Sequence, residues 1–378
     1  SVNIKERLDF SCALFNSQGA LVANAPHVPV HLGSMSEAIR TVIKLNKDNI
    51  FQGDVFVLNA PFNGGTHLPD VTVITPVFDK VGKEIIFFVA SRGHHADIGG
   101  TTPGSGPPDS KHIEEEGVLI DNFKMFDKGV FKEKEMKNIL ASGTYPCRNI
   151  EHNMADLAAQ VAANKTGINE IKSMIDQFGI ETVQAYMNHV QDNAEECIRN
   201  AITNLSEGKY EYELDNGEFI KVTIRIDKIK REATIDFTGT AEKNPFNYNA
   251  PMAVCHAVIL YVFRTLVGNN IPLNEGCFKP LNIIIPNNSM INAKYPSAVI
   301  AGNTEVSQLT CNALFGALGV IAGSQATMNN FIWGNNKIQN YETMCGGTGA
   351  GPDFHGTSAV QTHMTNTRST DPEVLETR

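Results

Sequence analysis

Two apolar runs dominate the first third of the chain. Residues 71–78 and 84–91 are rich in Val, Ile and Phe, and Asp79-Lys-Val-Gly-Lys83 joins them. β-branched and aromatic runs around a glycine-bearing connector predict a β-hairpin. With its turn centred near Val81, position 67 falls roughly opposite position 95. A second hairpin is predicted over 11–23, turning at Asn16-Ser-Gln-Gly19. Helical spacing follows over 34–47, apolar at Met35, Ile39, Val42, Ile43 and Leu45. Ser34-Met-Ser-Glu37 there has the form of a capping box.

Further along, 154–178 and 180–205 carry apolar residues at helical spacing and are split by Gly179, a natural helix stop. Asp215-Asn-Gly217 predicts a tight turn between strands at 210–214 and 218–226, and another strand is expected at 230–237. Residues 252–267 predict a buried helix, 281–285 a buried strand, and 310–323 a closely packed helix of small residues. The Gly/Pro-rich 99–111 predicts a loop, either a lid or a plain connection. The fold class expected is α+β, with mixed and antiparallel sheets and packed helices in several layers. Two or more subdomains are expected: an α+β part at 1–130, a helical region at 131–208 and a second α+β part at 209–378.

Composition narrows the function. A chain of 378 residues supports more than one core. Its formal charge of -10 speaks against a dedicated nucleic-acid binder, which needs clustered Lys and Arg. No stretch reaches the ~20 apolar residues that span a bilayer. Seven scattered cysteines, never spaced as CxxC, fit free thiols in a reducing cytoplasm. The N-terminus has no signal-peptide core, and a start at Ser1 without an initiating Met fits either a piece of a longer polypeptide or a chain that has lost disordered ends; the location expected is cytoplasmic.

The chemistry sits at the ends of the first hairpin. His67-x-x-Asp70 precedes one strand and His94-x-x-Asp97 follows the other. Folding the ribbon offers two imidazoles and two carboxylates to one point, a mixed nitrogen and oxygen set suited to Mn, Fe or Zn. The plain alternative is a polar hairpin end whose His and Asp bond backbone. His95 is open between ligand, neighbour of a ligand and substrate contact. Asn303 and Glu305 precede a buried helix, where capping and substrate binding compete. Arg368, in the polar segment His363-Met-Thr-Asn-Thr-Arg368, is open between gripping an anion and a surface ion pair. Glu114-Glu-Glu116 is a solvated face or the source of a proton-transfer base. Gly346-Gly-Thr-Gly-Ala-Gly351 lacks the Lys-Ser/Thr of a phosphate loop and is better read as a turn.

Several of these stretches together resemble the B subunit of the hydantoinase/oxoprolinase family, which includes the α subunit of acetone carboxylase. They are Lys5-Glu-Arg-Leu-Asp-Phe-Ser-Cys12, Pro29-Val-His-Leu-Gly-Ser-Met35, Gly65-Thr-His-Leu-Pro-Asp70, Gly93-His-His-Ala-Asp-Ile-Gly-Gly100, Asp156-Leu-Ala-Ala-Gln160, Gly302-Asn-Thr-Glu-Val-Ser-Gln308 and His363-Met-Thr-Asn-Thr-Arg368. The resemblance implies a hetero-oligomer in which a partner A-type ATPase subunit uses ATP to phosphorylate a cyclic amide or a ketone. The B subunit then completes hydrolysis or carboxylation. It implies a divalent metal at His67, Asp70, His94 and Asp97, and a small-molecule lactam or hydantoin as substrate. Asp97, His95 and Glu115 are the proton-transfer candidates that go with it, and Asn303, Glu305 and Arg368 the substrate contacts. A ketone carboxylase subunit and a non-catalytic scaffold for the ATPase are the competing readings.

Overall fold

A computed structural model describes residues 1–25, 28–268, 270–335, 339–365 and 367–376. The predicted hairpin lies inside a seven-stranded antiparallel sheet. Its strands are β1 (Phe10–Asn16), β2 (Leu21–Asn24), β3 (Val55–Leu58), β4 (Asp70–Phe78), β5 (Ile85–His94), β6 (Phe123–Asp127) and β7 (Val130–Phe131). They lie in the order β2-β1-β5-β4-β3-β6-β7. In the β4–β5 ribbon Asp70 pairs with His94 and Val77 with Phe87. That register is two residues from the predicted one. The turn is the cause: the Asp79 N–H bonds the Glu84 carbonyl at 2.9 Å, and a bulge falls between Val77 and Phe78. A slip of two keeps every side chain on its own face, so the convergence of the two strand ends survives the error.

Both faces of this sheet are covered, which is why its strands read as near-continuous apolar runs. On one face lies α2 (Pro29–Leu45), which follows the short α1 (Val2–Lys5). Its Met35, Ile39 and Val42 pack on Phe15, Phe56, Ile74 and Phe88. Excluding a side chain such as Phe56 or Ile39 from water contributes ~2–3 kcal/mol. The helix starts five residues before the predicted Ser34, because Pro29 sits at its first position, where a fixed φ and a missing N–H cost nothing. Ser34 is not the cap; its hydroxyl donates to the Val30 carbonyl at 2.7 Å.

The opposite face carries α4 (Ile150–Phe178), reached through α3 (Glu133–Leu140) and followed by α5 (Ile180–Thr203). Gly179 at φ +83 separates the two long helices as expected. Leu157 of α4 packs with Val57, Val71 and Val73, and its C-terminal half meets Val77, Phe87 and Val89. Polar residues of α4 are also buried here. The Gln160 amide donates to the carbonyls of Val71 (2.8 Å) and Ser91 (3.2 Å), and Asn164 donates to the Val73 carbonyl (3.0 Å). These amides satisfy ribbon carbonyls that would otherwise be costly to bury.

The second sheet has the order β11-β10-β9-β8, formed by β8 (Gly208–Glu213), β9 (Phe219–Asp227), β10 (Glu232–Asp236) and β11 (Leu281–Ile284). The predicted buried strand β11 is instead an edge strand, half of whose residues face solvent, running parallel to β10. Between the sheets stand α6 (Met252–Thr265) and α7 (Ser307–Leu318), the latter ended by Gly319 in the left-handed region. α6 approaches α2 closely at Gly33, where an added Cβ would lie 2.3 Å from the Ala257 Cα. A last hairpin, β12 (Asn330–Gly334) with β13 (Gln339–Thr343), was not expected from the sequence. All seven cysteines are free, and no described helix is long and apolar enough to cross a membrane.

Candidate metal centre

The end of the β4–β5 ribbon is closed by three other segments. His67 precedes β4, Asp70 is its first residue and His94 is the last of β5. Ligand atoms of these three side chains lie within 4.8 Å of one another, and all three residues are buried. The His67 and His94 ring centroids are 5.1 Å apart.

Each ligand is held from behind. Asp70 Oδ2 accepts from the Thr66 hydroxyl (2.7 Å) and the Asn303 amide (2.9 Å), and lies 3.1 Å from His67 Nδ1. His67 Nδ1 is also 3.0 Å from the Asn303 amide, and His94 Nδ1 is 2.9 Å from that of Asn3. Both histidines therefore have Nδ1 occupied and Nε2 without a hydrogen-bond partner among the described residues. These contacts fix the orientation of both rings, and at His67 the Asp70 carboxylate 3.1 Å away is the acceptor to which a ligating imidazole would turn its Nδ1–H. Asn303 comes from a single wide turn, Gly302–Val306, with π-helical hydrogen bonding ahead of α7. Such bulges recur at functional sites.

Two residues join the cluster that sequence reasoning left unassigned. His31 Nε2 stands 3.0 Å from Asp70 Oδ1 and 4.0 Å from Asp9 Oδ1, and Ser11 holds its other ring nitrogen at 3.2 Å. Asp9, His31, His67, Asp70 and His94 line one cavity of ≈ 20 Å³, about the space of a single ion or water. It opens beside a chamber of ≈ 270 Å³ that shares His67, His94, Thr304 and Tyr341 with it. Tyr341 of β13 leans on His94 with centroids 5.1 Å apart, over a fully buried Arg7 whose guanidinium lies 4.4 Å from its ring.

Charge in this pocket is strongly perturbed. Burial raises the cost of ionising Asp70, but the neighbouring His31 and His67 outweigh it and hold its carboxyl well below the usual range. Burial, with His67 close by, keeps the His94 imidazole neutral well below its usual pKa. Asp9 is pushed the other way by burial. Asp70 Oδ1 is wholly buried yet has no aligned hydrogen-bond donor; His31 reaches it only as an ion-pair contact. His67, Asp70 and His94 each offer one ligand atom within 4.8 Å of the other two, and Asp70 keeps a buried oxygen without a donor, a set that fits a divalent cation.

Other predicted site residues stand elsewhere. Asp97 does not join the cluster. Its oxygens accept from the Gly99 (2.9 Å), Gly104 (3.0 Å) and Arg148 (3.2 Å) N–H groups and from the Arg148 guanidinium at 2.8 Å. His95 is turned towards α4, with Nδ1 at 3.0 Å from the Asn153 amide and Nε2 at 3.1 Å from the Gln160 amide oxygen. Glu115 accepts the Lys111 N–H at 2.9 Å and lines neither cavity. Arg368 is exposed, and its backbone N–H donates to the Arg7 carbonyl at 3.0 Å. Asn366 lies outside the described residues. Glu305, by contrast, lines the larger chamber.

The buried member of the glutamate triplet is Glu116. It accepts the Ser110 hydroxyl (2.8 Å), the Val299 N–H at both oxygens (2.9 and 3.0 Å) and the Ile300 N–H (2.9 Å), so it pins the segment leading to Asn303. Burial lifts its pKa from 4.5 to about 7. A folded value above the unfolded one means that the stability it contributes is full below pH ~4.5 and lost as the pH rises through ~7, a span of ~3 kcal/mol. Glu116→Gln is expected to flatten the urea-unfolding free energy between about pH 5 and 8 by that order. An unchanged pH profile would refute the assignment.

Comparison with known proteins gives a consistent picture. The family model described as Hydantoinase B/oxoprolinase matches residues 1–378. The chain is 49% identical over 405 residues to 5-oxoprolinase 1 of Arabidopsis thaliana, covering all of this chain and 32% of that protein. It is 29% identical to the putative B subunit of a D-/L-hydantoinase of a Pseudomonas species, over 99% of this chain and 67% of that one. Among solved structures, the ATP-dependent caprolactamase of Pseudomonas jessenii superposes with a TM-score of 0.85 at 25% identity, over 98% of this chain and 67% of the other. Acetone carboxylase, at 17% identity and a TM-score of 0.87, shares the fold. The chain spans about a third of the length of the 5-oxoprolinases it matches.

Proposed function

This chain belongs to the Hydantoinase B/oxoprolinase family, and on that premise we propose that it carries the ring-opening centre of an ATP-dependent cyclic amidohydrolase. The observation that carries the reading is the buried triad of His67, Asp70 and His94, facing a chamber of ≈ 270 Å³ that would hold a five- to seven-membered lactam or a hydantoin. A divalent ion (Mn, Fe or Zn) is assigned to those three side chains. Bound there, it would supply Lewis acidity to an oxygen ligand. The residues of this chain do the rest. His31, Thr66 and Asn303 fix Asp70, while Asn3 and Asn303 orient the imidazoles. Tyr341 and the β12–β13 hairpin border the chamber and keep bulk water from the reacting carbon. No ATP motif is present in the sequence, so activation by ATP is assigned to an A-type ATPase partner in a hetero-oligomer.

The names of the relatives, 5-oxoprolinase and caprolactamase, support the cyclic-amide class. The test is reconstitution with an A-type ATPase and a panel of 5-oxoproline, caprolactam and hydantoin, scored by ring opening and phosphate release. Opening of at least one ring with stoichiometric phosphate is the expected result. ATP turnover that depends on bicarbonate and a small ketone, with no ring opened, would replace this reading by the carboxylase one.

A further inference from the structure

The larger chamber holds an ionisable group that ring opening has not yet used. Among its described lining residues there is no Lys or Arg, and Glu305 is the one carboxylate. Glu305 is placed by the wide turn Gly302–Val306. Three successive residues there divide the work. Asn303 holds His67 and Asp70, Thr304 lines both cavities, and Glu305 lines the chamber. One Glu305 oxygen accepts the Thr327 hydroxyl at 2.8 Å, and the other has no partner among the described residues. Thr327 belongs to an adjoining cavity that Glu305 also lines, so the carboxylate is anchored in the wall between the two spaces with one oxygen to spare.

Resting on the proposed ring-opening function, we propose that Glu305 is the acid that protonates the departing ring nitrogen. The chemistry demands such a group. When water adds to the activated ring carbon and loses a proton to solvent, the tetrahedral carbon carries an oxyanion, the phosphorylated oxygen and the ring nitrogen. If the phosphoryl-bearing oxygen leaves, the lactam returns and ATP is spent for nothing. If the carbon–nitrogen bond breaks, the oxyanion pair re-forms the carbonyl and the ring opens to an acyl phosphate, which a second water hydrolyses. An amide nitrogen leaves as an unstable anion unless a proton reaches it as the bond breaks. The Glu305 carboxyl supplies that proton, is left as carboxylate, and regains a proton from solvent. Burial raises its pKa, which favours the protonated form such a donor needs.

The experiment uses the assembled enzyme with its ATP-using partner and counts rings opened per phosphate released. Glu305→Gln is expected to keep phosphate release while rings opened per phosphate fall about tenfold or more with the lactam that the wild type opens. Hydantoin, whose departing ureido nitrogen is a far weaker base, is expected to lose less than about threefold. Glu305→Asp should restore part of the coupling. Divalent-metal content, measured on each variant, should match the wild type and so report an intact site. A parallel fall in phosphate release and ring opening on every substrate, or unchanged coupling, overturns the assignment. If the wild type opens no ring at all, the ring-opening function itself has failed, and that result is visible before any variant is compared.

Discussion

His67→Ala and Asp70→Ala are each expected to abolish ring opening and to weaken divalent-metal binding by about a hundredfold or more. Loss of an outer group that merely orients a ligand costs 10- to 100-fold, so loss of a ligand should exceed that range. The two variants should differ in stability. His67 bonds the Asn303 amide and Asp70 and no other side chain among the described residues, so its removal empties a small space. Asp70 is the shared acceptor for Thr66 and Asn303 and lies 3.0 and 3.1 Å from the ring nitrogens of His31 and His67. Removing it strands several buried groups at once, at a cost of ~3–5 kcal/mol. Metal content by elemental analysis, affinity by chelator competition and urea unfolding separate the two effects. Full metal occupancy in either variant would sink the assignment of the triad.

How much of this was written in the sequence depends on how local each feature is. The β4–β5 ribbon, the break at Gly179 and the Asp215-Asn-Gly217 turn were legible, because each follows from a period or a turn residue within a few positions. The register was not, since it depends on which backbone groups close the 79–84 loop. The start of α2 was missed because Ser34 imitates a cap, while Pro29 is the real signal. The β12–β13 hairpin was missed for another reason. Its strands form a separate two-stranded sheet over the site, and such a ribbon is stabilised by what it packs against more than by its own pattern.

The site divides in the same way. The repeated His-x-x-Asp spacing led to His67, Asp70 and His94, because the ribbon that joins them is a local element. Asp9 and His31 could only have been found by asking why Leu-Asp-Phe-Ser and Val-His-Leu place polar groups inside apolar runs; both are buried from other segments. Tyr341 carried no signal, since its neighbourhood was not read as a strand. The repeat also misled. Asp70 is the first residue of β4 and points into the cluster, whereas Asp97 lies three residues past the end of β5, where pleating no longer fixes its direction.

Asp97→Ala is accordingly expected to cost about 3–4 kcal/mol of stability while leaving metal affinity within about threefold of the wild type. The carboxylate takes three backbone N–H groups and the Arg148 guanidinium, and so fastens the loop at 97–105 to the segment before α4. Arg148 in turn donates to the carbonyls of Gly99 (3.3 Å) and Gly100 (2.8 Å), so the loop is gripped from both sides. An alanine leaves the Arg148 cation without its counter-charge and three backbone donors without their acceptor, the situation in which removing one partner is far more costly than the pair is worth. Asp97→Asn, which keeps one acceptor oxygen, should recover part of the loss. Gly104 of this loop also borders the chamber, so loosening the loop should raise KM more than it lowers kcat. Equal stability with metal binding lost would return Asp97 to the ligand set and break the division between the carboxylate that meets the cation and the one that fastens the wall of its chamber.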